Sequence, residues 1–453
     1  MALGVLEEEQ ADIRLAQINQ SLSRGMFVQV RELLQEFAPE EVALLLESSP
    51  SQTRQILWRL TPASQQGEIL EELSEDLKDQ FIAKMSTESL INATAGMDTD
   101  DLAYILRSLP DSVYQLVLQS MDSQDRARVE QALSYPEESA GALMNTDTVA
   151  IRPDVSIDVI LRYLRRRGDL PDATDTLYVV DKNDRLLGGV YITDLLTSDP
   201  SLSITEIMND QLEAISATMD ETEVAHLFER YDWISAPVVD SEGNLLGRIT
   251  IDDIVDVIRE DAEHSMMSMA GMEDEADTFG PVLQSTLRRS LWLTVNLFAA
   301  LLAASVSHTF EATLEQFATI AVLMTIVPSM GGVAGNQTLA LVIRGIALGH
   351  ISDVNSKWLI GKEAAIGLLN GLIWASFVFI VVWLWHGDIR FGILIGAAML
   401  CNMIIAGLAG AAIPLLLKRL NIDPALAGGM ALTTVTDVAG LFIFLGLATL
   451  ILL

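Results

Sequence analysis

The sequence predicts a multidomain membrane protein. An all-α helical superhelix, an α/β unit present twice in tandem and a connecting helix come first, followed by a polytopic α-helical membrane domain with five transmembrane helices. Three observations predict this order. Charge is partitioned sharply along the 453 residues, two different internal repeats occupy the beginning, and apolar runs long enough to cross a bilayer are confined to the end.

The charge partition comes first because it bounds the partners. Of 62 acidic residues only seven lie from Arg288 onward, against eight of the 28 bases, so the preceding part carries 55 acids against 20 bases. A surface that acidic repels phosphate backbones and anionic head groups, so nucleic acid is excluded as a partner while divalent cations are favoured. The lone cysteine, Cys401, sits in an apolar run and excludes an intrachain disulfide or a thiolate zinc cluster. The first residues lack a basic segment and a long apolar stretch and run into Glu7, Glu8 and Glu9, which does not describe a signal peptide.

Residues 1–134 read as the helical superhelix. Helix-start residues recur at Pro39, Pro50, Pro62, Ser74, Ser86, Asp98, Pro110 and Asp122, at intervals of 11 and then 12. Between them lie apolar pairs such as Leu44-Leu45, Ile56-Leu57, Ile69-Leu70 and Ile105-Leu106, the pattern of short helices packed on their neighbours.

Residues 135–260 hold the second repeat, in which strand-like segments alternate with amphipathic helices. Leu177 to Asp181 with Gly188 and Asp194 returns as Ala236 to Asp240 with Gly247 and Asp253, at an offset of 59. Met144-Asn145 returns as Met208-Asn209 at an offset of 64, the difference lying in an extra loop near Gly168 to Thr174. The runs Gly188 to Asp194 and Gly247 to Asp253 make this unit resemble a pair of CBS domains. Such pairs are sensory modules, often for adenine nucleotides, so the resemblance implies ATP as a further ligand. No phosphate loop, catalytic triad, His-Glu-x-x-His or paired intramembrane Asp is present, so no catalytic residue and no enzymatic chemistry is assigned.

The connecting helix follows over 261–287. Just before it and into it, Asp252, Asp253, Asp256, Glu260, Asp261 and Glu263 crowd one stretch, and the spacing of Asp253, Asp256 and Glu260 puts them on one face. Like charges so placed repel until counter-ions arrive. A divalent cation bridging that face to another acidic surface converts repulsion into attachment, which is a gating device. His264 beside Met266, Met267 and Met269 reads as flexible packing rather than a soft-metal site.

Residues 288–453 read as the membrane domain. Its spans run from about 290 to 310, 317 to 343, 364 to 385, 391 to 417 and 424 to 453, each near the roughly 20 residues a bilayer requires. Arg288, Arg289, Arg344, Lys357, Lys362, Lys418 and Arg419 share one side, with only Arg390 opposite. That side is expected to be cytoplasmic, with Leu453 outside. Five helices make a poor closed pore, so a homodimer with its pore on the two-fold axis is expected.

Intramembrane polar residues are costly unless they face a partner or water, so they are the candidates for chemistry. Asp437 lies among Thr433, Thr434 and Thr436 in the fifth span with no intramembrane Lys or Arg to neutralise it, and reads as a hydrated-cation site. The second span is broken by Pro328, Gly331, Gly332 and Gly335 and continues with Asn336, Gln337 and Thr338. Irregular backbone at this depth is tolerated where it packs on protein or lines a cavity. A path of carbonyl, amide and carboxylate oxygens suits a hard cation, and magnesium would keep several of its waters there.

Three runs carry a resemblance that spans essentially the whole chain: Tyr135 to Met144, Gly331 to Gln337 with Ile343-Arg344-Gly345, and Asp423 to Leu426 leading to Thr436 to Gly440. With the order of repeats they resemble the MgtE magnesium channels. The resemblance implies that Asp437 is a pore carboxylate supplied by both protomers of a homodimer. It places Asn336 and the Gly331 to Gly335 backbone beside the path, and Glu311 near the outer mouth. Regulatory magnesium is implied at Asp100, Asp220, Asp232, Asp253, Asp256 and Asp261, giving feedback in which cytosolic magnesium closes the pore. Val333 and Met430 depart from the usual Asn and Pro of the family, which bears on selectivity; His264 and Ser265 stand where some relatives are acidic. Another divalent ion such as cobalt or manganese, or a CBS-regulated membrane sensor, are the competing readings.

Overall fold

The computed structural model describes residues 17–452 except 19, 23, 96, 169, 172, 273–277 and 353. Glu7 to Glu9 and the absence of a signal segment therefore lie outside the described residues, as do parts of the loop near Gly168 to Thr174. The chain divides into two compact units, residues 1–261 with 277–280, and residues 262–276 with 281–453.

In the first unit, helices begin where the periodicity places them. Pro39–Glu47, Ser51–Leu60, Glu75–Ile82, Thr87–Ala93, Thr99–Ser108, Asp111–Ser120 and Ser123–Ala132 each start at or one residue after an expected start residue. Ser86 and Asp122 act as side-chain caps, accepting from Ser89 N and from Gln124 and Asp125 N, which satisfies amides the first helical turn leaves orphaned. The exception is Pro62. There a turn closed by Gln65 N donating to Pro62 O delays the helix to Gln66–Glu72. The apolar pairs split between core and surface: Leu45, Leu57, Ile69, Leu70, Ile105 and Leu106 are buried, while Leu44 and Ile56 are exposed. Each fully buried Leu or Ile contributes about 1.5–3 kcal/mol relative to exposure. Arg54 is buried too; its Nε donates to Leu46 O at 2.8 Å and so holds the end of one helix to the next.

The duplicated unit builds two three-stranded sheets of like topology. In one, β1 (Ala150–Ile151) is parallel to β2 (Thr176–Val180), which is antiparallel to β3 (Leu186–Tyr191). In the other, β4 (Ile215–Ser216), β5 (Ser235–Val239) and β6 (Leu245–Thr250) repeat that arrangement, with a register irregularity at the matching place. The repeats exchange contacts. Asn145 bridges to Arg248 of the second sheet, and Asn209 bridges back to Gly189 of the first. Gly188 and Gly247 sit at these crossings, where a Cβ would meet the Asn209 or Asn145 carbonyl.

A helix Ile251–Met269 leaves β6 directly, so the acidic face predicted around Asp253 and the start of the connecting segment are one continuous helix.

The second unit is helical, and among the described residues five helices are long and apolar enough to cross a membrane: Ser285–Thr309, Ala318–Ala347, Ser356–His386, Ile389–Arg419 and Pro424–Leu452. The second is interrupted between Leu323 and Ile326, just before Pro328. The fourth packs on the second, third and fifth, and the first touches the fifth. Close approach depends on glycine. A Cβ at Gly410 would lie 2.7 Å from Gly335 O, and one at Gly367 would lie 2.7 Å from Met403 O. The first span keeps Leu291, Leu293, Leu297, Phe298 and Leu301 exposed, an apolar surface suited to lipid.

Candidate ion path and acidic sensor

The second and fifth spans meet along the predicted polar segments. A Cβ at Gly335 would stand 3.0 Å from Leu432 Cδ1, and one at Gly332 would stand 3.9 Å from Thr436 Oγ1. Asn336 and Asp437 each follow one of these contact residues in sequence. Asn336 is exposed and Asp437 half-buried. Thr433, Thr434 and Thr436 turn their hydroxyls back onto carbonyls of their own helix, Gly429, Met430 and Leu432. They satisfy the helix rather than the carboxylate. Glu311 is exposed at the start of a short helix, Glu311–Gln316, and its Oε2 lies 3.2 Å from His308 Nδ1.

The membrane unit holds a second carboxylate that sequence reasoning set outside the third span. Glu363 is 2% exposed; Thr338 Oγ1 donates to its Oε2 at 3.1 Å. Lys362 Nζ lies 3.3 Å from Oε1 without hydrogen-bond alignment. Lys362 and Glu363 looked like loop charges preceding a span at Ala364, yet the helix begins at Ser356, so Asp437 is not the one carboxylate inside this bundle. Asp423, at the start of the fifth span, accepts from Ala425 N and Leu426 N at 2.9 and 3.0 Å, and His264 Nε2 lies 3.2 Å from its Oδ2. His264 thus has a polar neighbour, contrary to the reading of plain packing.

In the first unit the sequence-predicted acids separate into groups. Asp100, in the first turn of Thr99–Ser108, has a buried Oδ1 with no hydrogen-bond partner. Burial and then the charge of Asp253 push its carboxyl well above the usual range. Burial and then Asp252 push Asp253 up to about 7, although Thr250 N and Oγ1 donate to its Oδ2. Asp100 and Asp253 are therefore brought together. Asp256 pairs with Arg259 at 3.0 Å and adds its charge to Asp101 and Glu72, whose carboxyls are raised mainly by burial. Glu71, which sequence reasoning missed, is pushed up to about 7 by burial and then by Asp101 and Asp98, with Lys78 opposing. Only the fold discloses it, because nothing near Glu71 in sequence brings Asp98 or Asp101 to it.

Asp220 and Asp232 are not brought together. They flank the helix Glu221–Tyr231, Asp220 capping it by accepting from Thr222 N and Asp232 ending it in the left-handed region at φ 53°. An 11-residue helix separates them by about 17 Å at 1.5 Å per residue. Asp261 is exposed. Among the described residues no three His, Cys, Asp or Glu side chains form a metal-holding group.

Protonation has a definite sign here. A carboxyl raised from near 3.8 to about 7 binds a proton when folded and not when unfolded across that interval. The clustered arrangement is therefore most stable at low pH and loses stability as pH rises through about 7.

Comparison with known proteins agrees with this layout. The divalent cation transporter model of MgtE matches residues 324–447, the MgtE intracellular N domain matches 37–138, and CBS domains match 140–200 and 204–260. Magnesium transporter MgtE of Thermus thermophilus is 31% identical over 96% of this chain and 98% of its own length. The Enterococcus faecalis protein of that name is 29% identical over 98% of each. The cytosolic domain of the Mg2+ channel MgtE in complex with ATP aligns at 31% identity over 54% of this chain and 99% of its own, with a TM-score of 0.49. Five apolar helices behind an N domain and a CBS pair, matched along nearly the full length of a relative, place this multi-pass membrane protein in the MgtE family of magnesium transporters.

Proposed function

We propose that this protein is a magnesium-selective channel for uptake, closed when cytosolic magnesium occupies its acidic N-terminal domain, CBS pair and connecting helix. The observation that carries the transport step is Asp437: a half-buried carboxylate without a hydrogen bond, in a span packed through Thr436 and Leu432 on the broken glycine-rich segment of the second. An ionised side chain at mid-membrane costs roughly 2.5–3.5 kcal/mol on insertion scales, a cost that a cation path explains and a plain anchor does not. A hydrated cation meets Asp437 from each protomer of a homodimer, with Asn336 and the Gly331, Gly332 and Gly335 backbone beside it and Glu311 at the outer mouth.

The gating step rests on the acids of the first unit. Asp100 with Asp253, and Asp256 with its neighbours Asp101 and Glu72, form surfaces that repel until neutralised. Asp220, Asp232 and Asp261 complete the sensor. Filling it at high cytosolic magnesium favours the closed state by differential binding. The basic loops put the N-terminus in the cytoplasm and the C-terminus outside the plasma (inner) membrane. The protein works as a conduit, not an enzyme, and ATP at the CBS pair is an accessory ligand on the resemblance to such pairs.

The alternative reading is transport of another divalent cation, cobalt or manganese, with the same gating. Uptake of magnesium, cobalt and manganese into vesicles carrying wild type or Asp437→Ala tests both readings. Magnesium uptake lost in the variant is the expected result. Uptake that survives Asp437→Ala assigns the path elsewhere, and uptake of cobalt or manganese without magnesium changes the cargo.

A further inference from the structure

Asn402 lies in the middle of the fourth span and is fully buried. Its Nδ2 donates to the Val327 carbonyl at 2.8 Å, immediately before Pro328, where the second span restarts. Its Oδ1 is buried with no hydrogen-bond partner. Two glycines make room for the amide. A Cβ at Gly331 would overlap Nδ2, and one at Gly440 would lie 3.0 Å from the same atom. Gly331 opens the glycine run of the ion path, and Gly440 is three residues, just under one helical turn, beyond Asp437.

We infer that Asn402 is a positioning residue that fixes the separation of the glycine-rich second-span segment from the Asp437 segment of the fifth span, and so sets which divalent cations pass. The inference rests on the transport reading above. Bulk alone does not account for Asn402, because an apolar side chain of its size would fill the same space without burying an unpaired oxygen. What the amide adds is a directional bond to Val327, which ties the fourth span to the second at the break, while its flat head keeps Gly331 and Gly440 apart. Magnesium and calcium differ by a few tenths of an ångström in preferred oxygen distance and in how readily they shed water, so discrimination depends on cavity size and rigidity. Asn402 acts through the two backbone segments.

The test uses full-length protein in proteoliposomes, measuring magnesium and calcium flux for wild type, Asn402→Leu, Gly331→Ala and the Gly331→Ala/Asn402→Ala pair. Thermal transition and elution volume are recorded for each. Asn402→Leu keeps the branched heavy-atom shape with bulkier methyl ends and removes the hydrogen bond. The expected result is a folded protein whose magnesium-to-calcium flux ratio falls by about tenfold to a hundredfold, as for loss of an outer-shell support at a metal site. Gly331→Ala alone is expected to be poorly folded, and the pair to regain the wild-type thermal transition without regaining the ratio. A wild-type ratio in Asn402→Leu, or in the pair, would show that Asn402 only fills space and overturn the inference while wild-type magnesium flux leaves the transport reading standing. No magnesium flux in wild type overturns both.

Discussion

Asp437 and Asp253 carry opposite burdens. Asp437 is held without a hydrogen bond in a helix whose threonines are turned to their own carbonyls, whereas Asp253 accepts from Thr250 twice and is still pushed up to about 7 by burial. For Asp437→Ala, magnesium flux is expected to fall by about a hundredfold, the scale on which charged groups contribute when aimed at a transported or reacting ion; flux within a few-fold of wild type in reconstituted vesicles would contradict the assignment. For the acidic cluster, full-length protein in detergent with chelator should melt at higher temperature at pH 6 than at pH 8, because Asp253 and Glu71 take up protons as pH falls through about 7. Added magnesium should raise the transition more at pH 8 than at pH 6. Equal magnesium effects at both pH values would separate these carboxyls from the bound cation. Asp437 was legible in sequence because a carboxylate in an apolar run has no structural excuse. Glu363 and Asn402 were not: Lys362 beside Glu363 imitates a loop, and Asn402 acquires meaning only from Gly331 and Gly440, which are remote in sequence.

At the level of elements, the short N-terminal helices were legible because start residues and apolar pairs repeat locally. The sheets were legible from an offset of 59 that β2 and β5, and β3 and β6, reproduce strand for strand. The crossing of the two repeats through Asn145 and Asn209 was not, since it pairs residues scores of positions apart. Two packing predictions belong here. Gly410→Ala places a Cβ 2.7 Å from Gly335 O between the second and fourth spans; overpacking of this kind costs about 1–3 kcal/mol. A lower thermal transition in detergent is expected, and an unchanged one would mean the helices are not so closely set. Arg54→Ala leaves Leu46 O without the Arg54 Nε donor. Ser49 N still donates to that carbonyl, so the loss is that of one hydrogen bond to a charged group, roughly 1.5–3 kcal/mol, measurable as easier proteolysis within the N-terminal helices; wild-type resistance would assign Arg54 no structural weight.

For the whole molecule, the charge partition read from sequence separates two kinds of work. The acidic first unit concentrates carboxyls that burial and mutual repulsion raise, and the apolar second unit carries few charges, among them Asp437 and Glu363 within its spans. The helix Ile251–Met269 belongs to both units by sequence, its acidic beginning in the first and its end, from Ala262, in the second. On the proposed function, magnesium crosses at Asp437 and shuts its own path through the acids of Asp253, Asp256 and Asp261. This reading is tested most directly by magnesium flux in proteoliposomes at low and high magnesium on the cytosolic face, with wild type beside the Asp253→Asn/Asp256→Asn/Asp261→Asn variant. The account predicts flux that high magnesium closes in wild type and leaves open in the variant; equal closure of both would contradict it.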